Sequence, residues 1–130
     1  MSVPDRKAQR TALRRLRRAL PESLRRSWSQ QIQEAAWRLL TDRGIFVLFA
    51  YWSVREEVQT DALMRRWLRE GRTLVLARPD PSSKTMSLYR IAALEAVEPG
   101  PWGIAQPRQD LGAPVDPKTV SGSARARLGI

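Results

Sequence analysis

The sequence contains no cysteine and no histidine. The first absence excludes disulfides, thiolate metal sites and a thiol nucleophile. The second removes the commonest general base, the Ser-His-Asp arrangement and imidazole metal ligands. Lysine is scarce: Lys7, Lys84 and Lys118 are three among 23 basic residues. No apolar run suffices to cross a bilayer, because the longest, Gly44–Trp52, falls far short of the roughly 20 residues a helix needs. The arginine-rich start has no apolar stretch behind it, so it does not read as a secretory signal, and the cytoplasm is the expected compartment. Glycine-rich phosphate loops, zinc-finger spacings and RNA-recognition aromatic motifs are also missing. Any catalysis must rest on carboxylates, basic groups, backbone and a bound cosubstrate.

What is present suits a single domain of 130 residues, 42% of them hydrophobic and 28% charged, a balance that fits neither a membrane protein nor a disordered chain. The net charge is +10 and is unevenly spread. Residues 1–43 hold eleven basic and four acidic residues, a net of +7. Such a surplus attracts polyanions such as nucleic acid, nucleotide phosphates or polyglutamates.

Residues 5–20 read as a helix with Leu13, Leu16 and Leu20 on one stripe and arginines over the rest. Pro21 suits the first turn of a second helix, in which Leu24, Trp28, Ile32, Ala35 and Leu39 recur at helical spacing and Gly44 caps the end. Ile45–Trp52 is a continuous apolar run and reads as a strand buried on both faces, as in a parallel sheet. Thr60 is the expected N-cap of a helix whose apolar face is Leu63, Met64, Trp67 and Leu68, closing at Gly71. Thr73–Ala77 follows as a second strand, which makes a βαβ unit. Pro79–Lys84 reads as a loop, Met86–Ile91 as a third strand antiparallel to the second, and Ala92–Val97 as a short helical turn. From Glu98 onward prolines and glycines dominate. The expected fold is α/β, three-layered, with a mixed, mostly parallel sheet and the N-terminal helices packed on it.

In open α/β sheets ligands sit beyond the carboxyl ends of the strands. Here that position carries Trp52, Ser53, Arg55, Glu56, Glu57 and Thr60. Glu57 lies just before a helix N-terminus, which favours a carboxylate. Glu56 and Glu57 can be read as solvated loop charges, or one of them as the acceptor for N–H donors of a ligand with Trp52 as a stacking wall. Tryptophan at a strand end equally serves core packing. The basic first helix reads as a solvated cationic face or as a phosphate contact.

Five segments in order resemble one family. They are RKAQRTALRRLRRALPES, LFAYWSVREEVQT, EGRTLVLARPD, KTMSLYRI and EPGPWGIAQP. Together they resemble the 5-formyltetrahydrofolate cyclo-ligases, also called methenyltetrahydrofolate synthetases, over about residues 6–120. The resemblance implies ATP- and magnesium-dependent conversion of 5-formyltetrahydrofolate to 5,10-methenyltetrahydrofolate, with a reduced folate, polyglutamated forms included, as the partner and no membrane or nucleic acid. It implies folate contacts at Trp52 and Glu57, Trp102 near the folate pocket, and ATP phosphate contacts at Arg6, Lys7 and Arg10. Arg6 stands where the family has lysine, and Ala77 where it has proline. Arg127-Leu128-Gly129 resembles the opening of the family's glycine-rich ATP loop, but the rest of that loop does not follow. The expectation is an incomplete cyclo-ligase domain over 1–120, with 121–130 as a disordered tail. The alternative is a non-catalytic basic module that binds RNA or another polyanion.

Overall fold

A computed structural model describes residues 5–54, 57–116 and 118 and the backbone of 128–129. Arg55, Glu56 and the rest of the expected tail lie outside the described residues.

Two helices open the chain, Arg6–Ala19 (α1) and Glu22–Asp42 (α2). Asp5 caps α1, its carboxylate accepting from the Lys7 backbone N–H at 3.3 Å. Pro21 separates the helices as the N-cap residue of α2, one position earlier than expected. The leucine stripe of α1 is there but not covered: Leu13 is 58% and Leu16 65% exposed, and α1 buries no residue. Periodicity reports that a helix has an apolar face; the surrounding fold decides whether anything covers it. In α2 the buried positions are Ser29, Gln33 and Leu40, while Trp28, Ile32 and Leu39 of the expected stripe remain exposed. The two buried polar residues have tertiary partners, described below, and these turn the helix.

The main sheet has the order β3-β2-β1-β6, built from Val47–Phe49 (β1), Thr73–Asp80 (β2), Thr85–Ile91 (β3) and Leu128–Gly129 (β6). β1 runs parallel to β2 and β6, and β2 pairs antiparallel with β3. The helix Asp61–Arg69 (α3) joins β1 to β2, which completes the expected βαβ unit. β1 is shorter than the apolar run that suggested it. Ile45 is buried, but Phe46 and Tyr51 are each close to half exposed, so the chain enters and leaves the sheet around a three-residue strand. Val47 and Leu48, which point to opposite faces, are both buried, as a central strand requires.

β2 continues through Pro79 to Asp80, beyond the expected end at Ala77. Proline is tolerated because β1 pairs only as far as Val75, so this end of β2 is an edge and needs no N–H on that side. The loop to β3 shrinks accordingly to 81–84. Residues 92–96 form a turn, with the Ala96 N–H donating to the Ala93 carbonyl, rather than a helix. Then Val97–Pro99 (β4) and Ala105–Pro107 (β5) pair antiparallel around a single 3-10 turn, Pro101–Gly103. The first part of the proline- and glycine-rich stretch, 97–107, is therefore a hairpin.

The core lies where α3 and α2 meet the sheet. Leu48, Met64, Trp67, Leu74, Leu76 and Ile91 are almost fully buried there. Trp67 donates its Nε1–H to the Thr73 carbonyl at 2.8 Å and meets Trp37 edge to face at 5.8 Å between ring centroids. Arg66 lies over the Trp37 ring at 4.1 Å while pairing with Glu34 at 2.9 Å.

Candidate functional site

A cavity of about 370 Å³ opens beyond the carboxyl end of β1. Phe49, Ala50, Tyr51 and Trp52 bring that strand end to it, Leu76, Ala77 and Pro79 come from β2, and Met86 from β3. The β4–β5 hairpin closes the other side with Pro101, Trp102, Ile104, Ala105 and Gln106. The lining is apolar and aromatic except for Glu57, the Tyr51 hydroxyl and the Gln106 amide. Apolar walls with a few placed polar groups are the usual form of a small-molecule site.

The loop from β1 to α3 is tied down at several points. Glu57 closes a turn on itself: its N–H donates to the Val54 carbonyl at 3.1 Å, and its Oε1 accepts from the Val54 N–H at 3.0 Å. The Tyr51 hydroxyl donates to the Val58 carbonyl at 2.9 Å. The Thr60 hydroxyl donates to the Tyr51 carbonyl at 2.8 Å. Thr60 is the N-cap residue of α3, as expected, but its side chain makes no capping bond; its hydroxyl is spent across the loop. One orphan N–H of α3 is met from α2, where Gln33 Oε1 accepts from the Leu63 N–H at 2.9 Å. Ser29 Oγ likewise accepts from the Gln59 N–H at 3.1 Å. The buried polar residues of α2 thus hold both the Glu57 loop and the start of α3.

Burial, and next the charge of Glu57, raise the pKa of Tyr51 above its ordinary value, with the Arg17 guanidinium acting in the opposite sense. The phenol stays protonated at neutral pH and keeps its role as donor.

The hairpin is held by Arg78 of β2, whose Nη1 lies 2.5 Å from Glu98 Oε1 and 2.6 Å from the Pro107 carbonyl. At its tip Trp102 adopts φ +61°, ψ +19°. Left-handed backbone is disfavoured for a bulky residue. Trp102 is also 72% exposed, so core packing does not account for it. Strained backbone and an exposed indole at a cavity mouth together suit ligand contact.

Trp52, Glu57 and Trp102, three residues singled out from the sequence, therefore line one cavity. Trp52 also packs against the core, so both readings of that residue apply. Arg6, Lys7 and Arg10 stand exposed on α1 and do not line the cavity. Among the described residues no group of three Asp, Glu, His or Cys side chains could hold a metal ion. Sequence reasoning missed Tyr51, and it gave no role to Gln106 although that residue lies in the EPGPWGIAQP segment that resembles the family. Tyr51 was hidden inside an apolar run, although a tyrosine at the end of a strand is a detectable signal.

The model of the 5-formyltetrahydrofolate cyclo-ligase family matches residues 2–119. The chain belongs to this family. Among solved structures, the NMR structure of 5,10-methenyltetrahydrofolate synthetase from Aquifex aeolicus is similar, with a TM-score of 0.68 and 24% identity. The match covers 86% of this chain and 55% of that one, so the chain spans little more than half the length of that cyclo-ligase-family neighbour. At that identity the likeness speaks for the α/β fold. A search of curated proteins finds no match. No helix among the described residues is long and apolar enough to cross a membrane. Family membership favours the cyclo-ligase reading over the polyanion-binding module.

Proposed function

We propose that this chain holds a reduced folate, 5-formyltetrahydrofolate, in the cavity beyond β1, as part of its family's conversion of that compound to 5,10-methenyltetrahydrofolate. The observation that carries the reading is the joint placement of Trp52, Glu57 and Trp102 around one apolar cavity of about 370 Å³. The aromatic side chains offer flat walls for the bicyclic ring and exclude water from it. Glu57 spends Oε1 on its own loop, which leaves Oε2 for the N–H donors of the ring. A carboxylate in an apolar wall favours a ligand that presents such donors, and charge-assisted bonds are the stronger ones. The residues thus bind and orient the folate; they assign no step to a nucleotide.

The test is Glu57→Gln. Glutamine keeps an acceptor for the Val54 N–H, so the loop survives while the charge goes. A hydrogen bond to a charged group is worth about 1.5–3 kcal/mol, which corresponds to roughly tenfold or more in affinity. Titration of 5-formyltetrahydrofolate is read through tryptophan fluorescence, with Trp52 and Trp102 at the cavity. Equal affinity of the two proteins would remove Glu57 from the site, and no binding by the wild type would reject the reading altogether.

A further inference from the structure

We propose that Arg17 and Arg25 form a carboxylate-binding pocket between α1 and α2, beside the Glu57 loop, which takes a carboxylate borne on a short aliphatic chain, such as the glutamyl end of a bound folate. In that last form the inference rests on the folate reading above; the pocket itself does not.

A smaller cavity, of about 130 Å³, lies where the end of α1 comes together with the first half of α2. Leu20, Trp28, Ile32 and Val58 give it apolar walls, and Arg17 and Arg25 bring two guanidinium groups. No acidic residue lines it, and α1 carries none between Arg6 and Ala19. Arg25 is partly buried, and its Nε is shielded from solvent without a hydrogen-bond partner. Its side chain makes no ion pair or hydrogen bond among the described residues. A guanidinium drawn partly out of water with no counter-ion is unfavourable, and a bound anion offsets that cost. The buried Nε is not the contact to the ligand; it marks a cation that the protein leaves unbalanced. Arg17 is exposed and lines the same pocket, so it is open to a ligand.

The walls choose among anions. Phosphate offers no apolar surface to Leu20, Trp28 and Ile32, and it gives up strong hydration on entering. A carboxylate on a short methylene chain sets its charge at the guanidinium forks and lays its chain on the apolar walls. Trp28 and Ile32 are 46% and 48% exposed, and such a chain would cover part of that surface.

One loop joins this pocket to the folate cavity. Glu57 lines the cavity, and Val58, the next residue, lines the pocket. The Tyr51 hydroxyl, bonded to the Val58 carbonyl at 2.9 Å, feels the charges of both Glu57 and Arg17. The two spaces therefore make opposite demands: Glu57 accepts hydrogen bonds, while Arg17 and Arg25 donate them. A folate has the matching polarity, with N–H donors on its ring and carboxylates on its glutamyl end.

The experiment titrates wild type, Arg17→Gln, Arg25→Gln and Arg15→Gln by calorimetry with glutarate, inorganic phosphate, 5-formyltetrahydrofolate and its pteroate counterpart, which lacks the glutamyl group. Arg15 is exposed on the same helix and does not line the pocket, so its variant measures the loss of one charge alone. Glutarate should bind wild type more tightly than phosphate does, and about tenfold more weakly to Arg17→Gln and Arg25→Gln. Arg15→Gln should stay within about threefold of wild type, as expected for an exposed charge. Where the folate itself supplies the carboxylate, the glutamyl group raises wild-type affinity over the pteroate by about tenfold, and that gain disappears in Arg17→Gln and Arg25→Gln. Where a separate molecule supplies it, only the glutarate affinity responds. Either pattern supports the pocket. The proposal is overturned if Arg17→Gln and Arg25→Gln leave both glutarate binding and the glutamyl gain unchanged, if Arg15→Gln lowers them as much, or if phosphate binds as tightly as glutarate. If Arg25→Gln is destabilised or fails to fold, Arg17→Gln decides alone. If wild type binds neither the folate nor the pteroate, the folate reading fails, and the glutarate titration still decides the pocket.

Discussion

Replacing Tyr51 by phenylalanine probes whether the Glu57 loop is pre-set for its ligand. The substitution removes one oxygen and keeps the ring that lines the cavity. The lost interaction is the hydroxyl's 2.9 Å bond to the Val58 carbonyl, one residue beyond Glu57. A neutral hydrogen bond contributes about 0.5–1.5 kcal/mol net. Val58 is only partly buried, so water can take over its carbonyl and the lower half of that range applies to stability. The effect on binding should be of the same order, since loosening Val58 lets Glu57 leave its turn with Val54. Affinity for 5-formyltetrahydrofolate should then fall by about two- to fivefold.

A pH series separates this from a simple loss of packing. The folded-state pKa of Tyr51 lies above its ordinary value, so the bonded neutral phenol stabilises the fold fully below that value. The contribution is lost as pH rises through the raised pKa. The stability gap between wild type and Tyr51→Phe should be constant through neutral pH and close in alkaline solution. Chemical denaturation at several pH values measures the gap, and fluorescence titration at neutral pH measures the affinity. A gap that persists unchanged at strongly alkaline pH would refute the role of the hydroxyl. Wild-type affinity in Tyr51→Phe would show that the loop needs no such tether.

Two further substitutions test the supports of the site. Gln33→Leu leaves the Leu63 N–H at the start of α3 without its partner, and an unsatisfied buried donor costs about 1–3 kcal/mol; denaturant midpoints should fall accordingly, whereas an unchanged midpoint would mean that water reaches the end of α3. Gly100→Ala forces a methyl to within 2.6 Å of the Ile104 carbonyl oxygen, so the hairpin must shift at a cost of about 1–3 kcal/mol. It should weaken folate binding as well as stability, and retention of both would show that the hairpin yields freely.

Much of the architecture was legible because it depends on local pattern. Helical spacing in Leu63, Met64, Trp67 and Leu68 placed α3, and the apolar segments on either side of it announced a βαβ unit. Five short segments in the right order pointed to the family. The position of Glu57 beyond the first strand followed from chain order alone, since a loop between a strand end and a helix start has only one place to be in such a sheet. That Glu57, Trp52 and Trp102 share a cavity did not follow from chain order, because Trp102 arrives on a hairpin 45 residues after Glu57.

Amphipathic pattern and side-chain chemistry are written in the sequence; which groups meet is not. Helical periodicity marked Leu13 and Leu16 as one apolar face, but only the tertiary structure shows that face open to solvent among the described residues. Thr60 had the chemistry of an N-cap, yet its hydroxyl is taken by the Tyr51 carbonyl, and a glutamine 30 residues away meets the helix instead. Pro79 looked like a strand breaker and sits within β2, because β1 has already ended beside it. A hydrogen bond needs a partner within about 3 Å, and for Ser29, Gln33, Tyr51 and Gln106 its presence or absence depends on how distant segments pack. Composition and spacing determined the elements, and the resemblance to the family singled out Glu57 from the two neighbouring carboxylates. Long-range packing decided which polar groups support that carboxylate, and brought Trp102 on the hairpin to the same cavity.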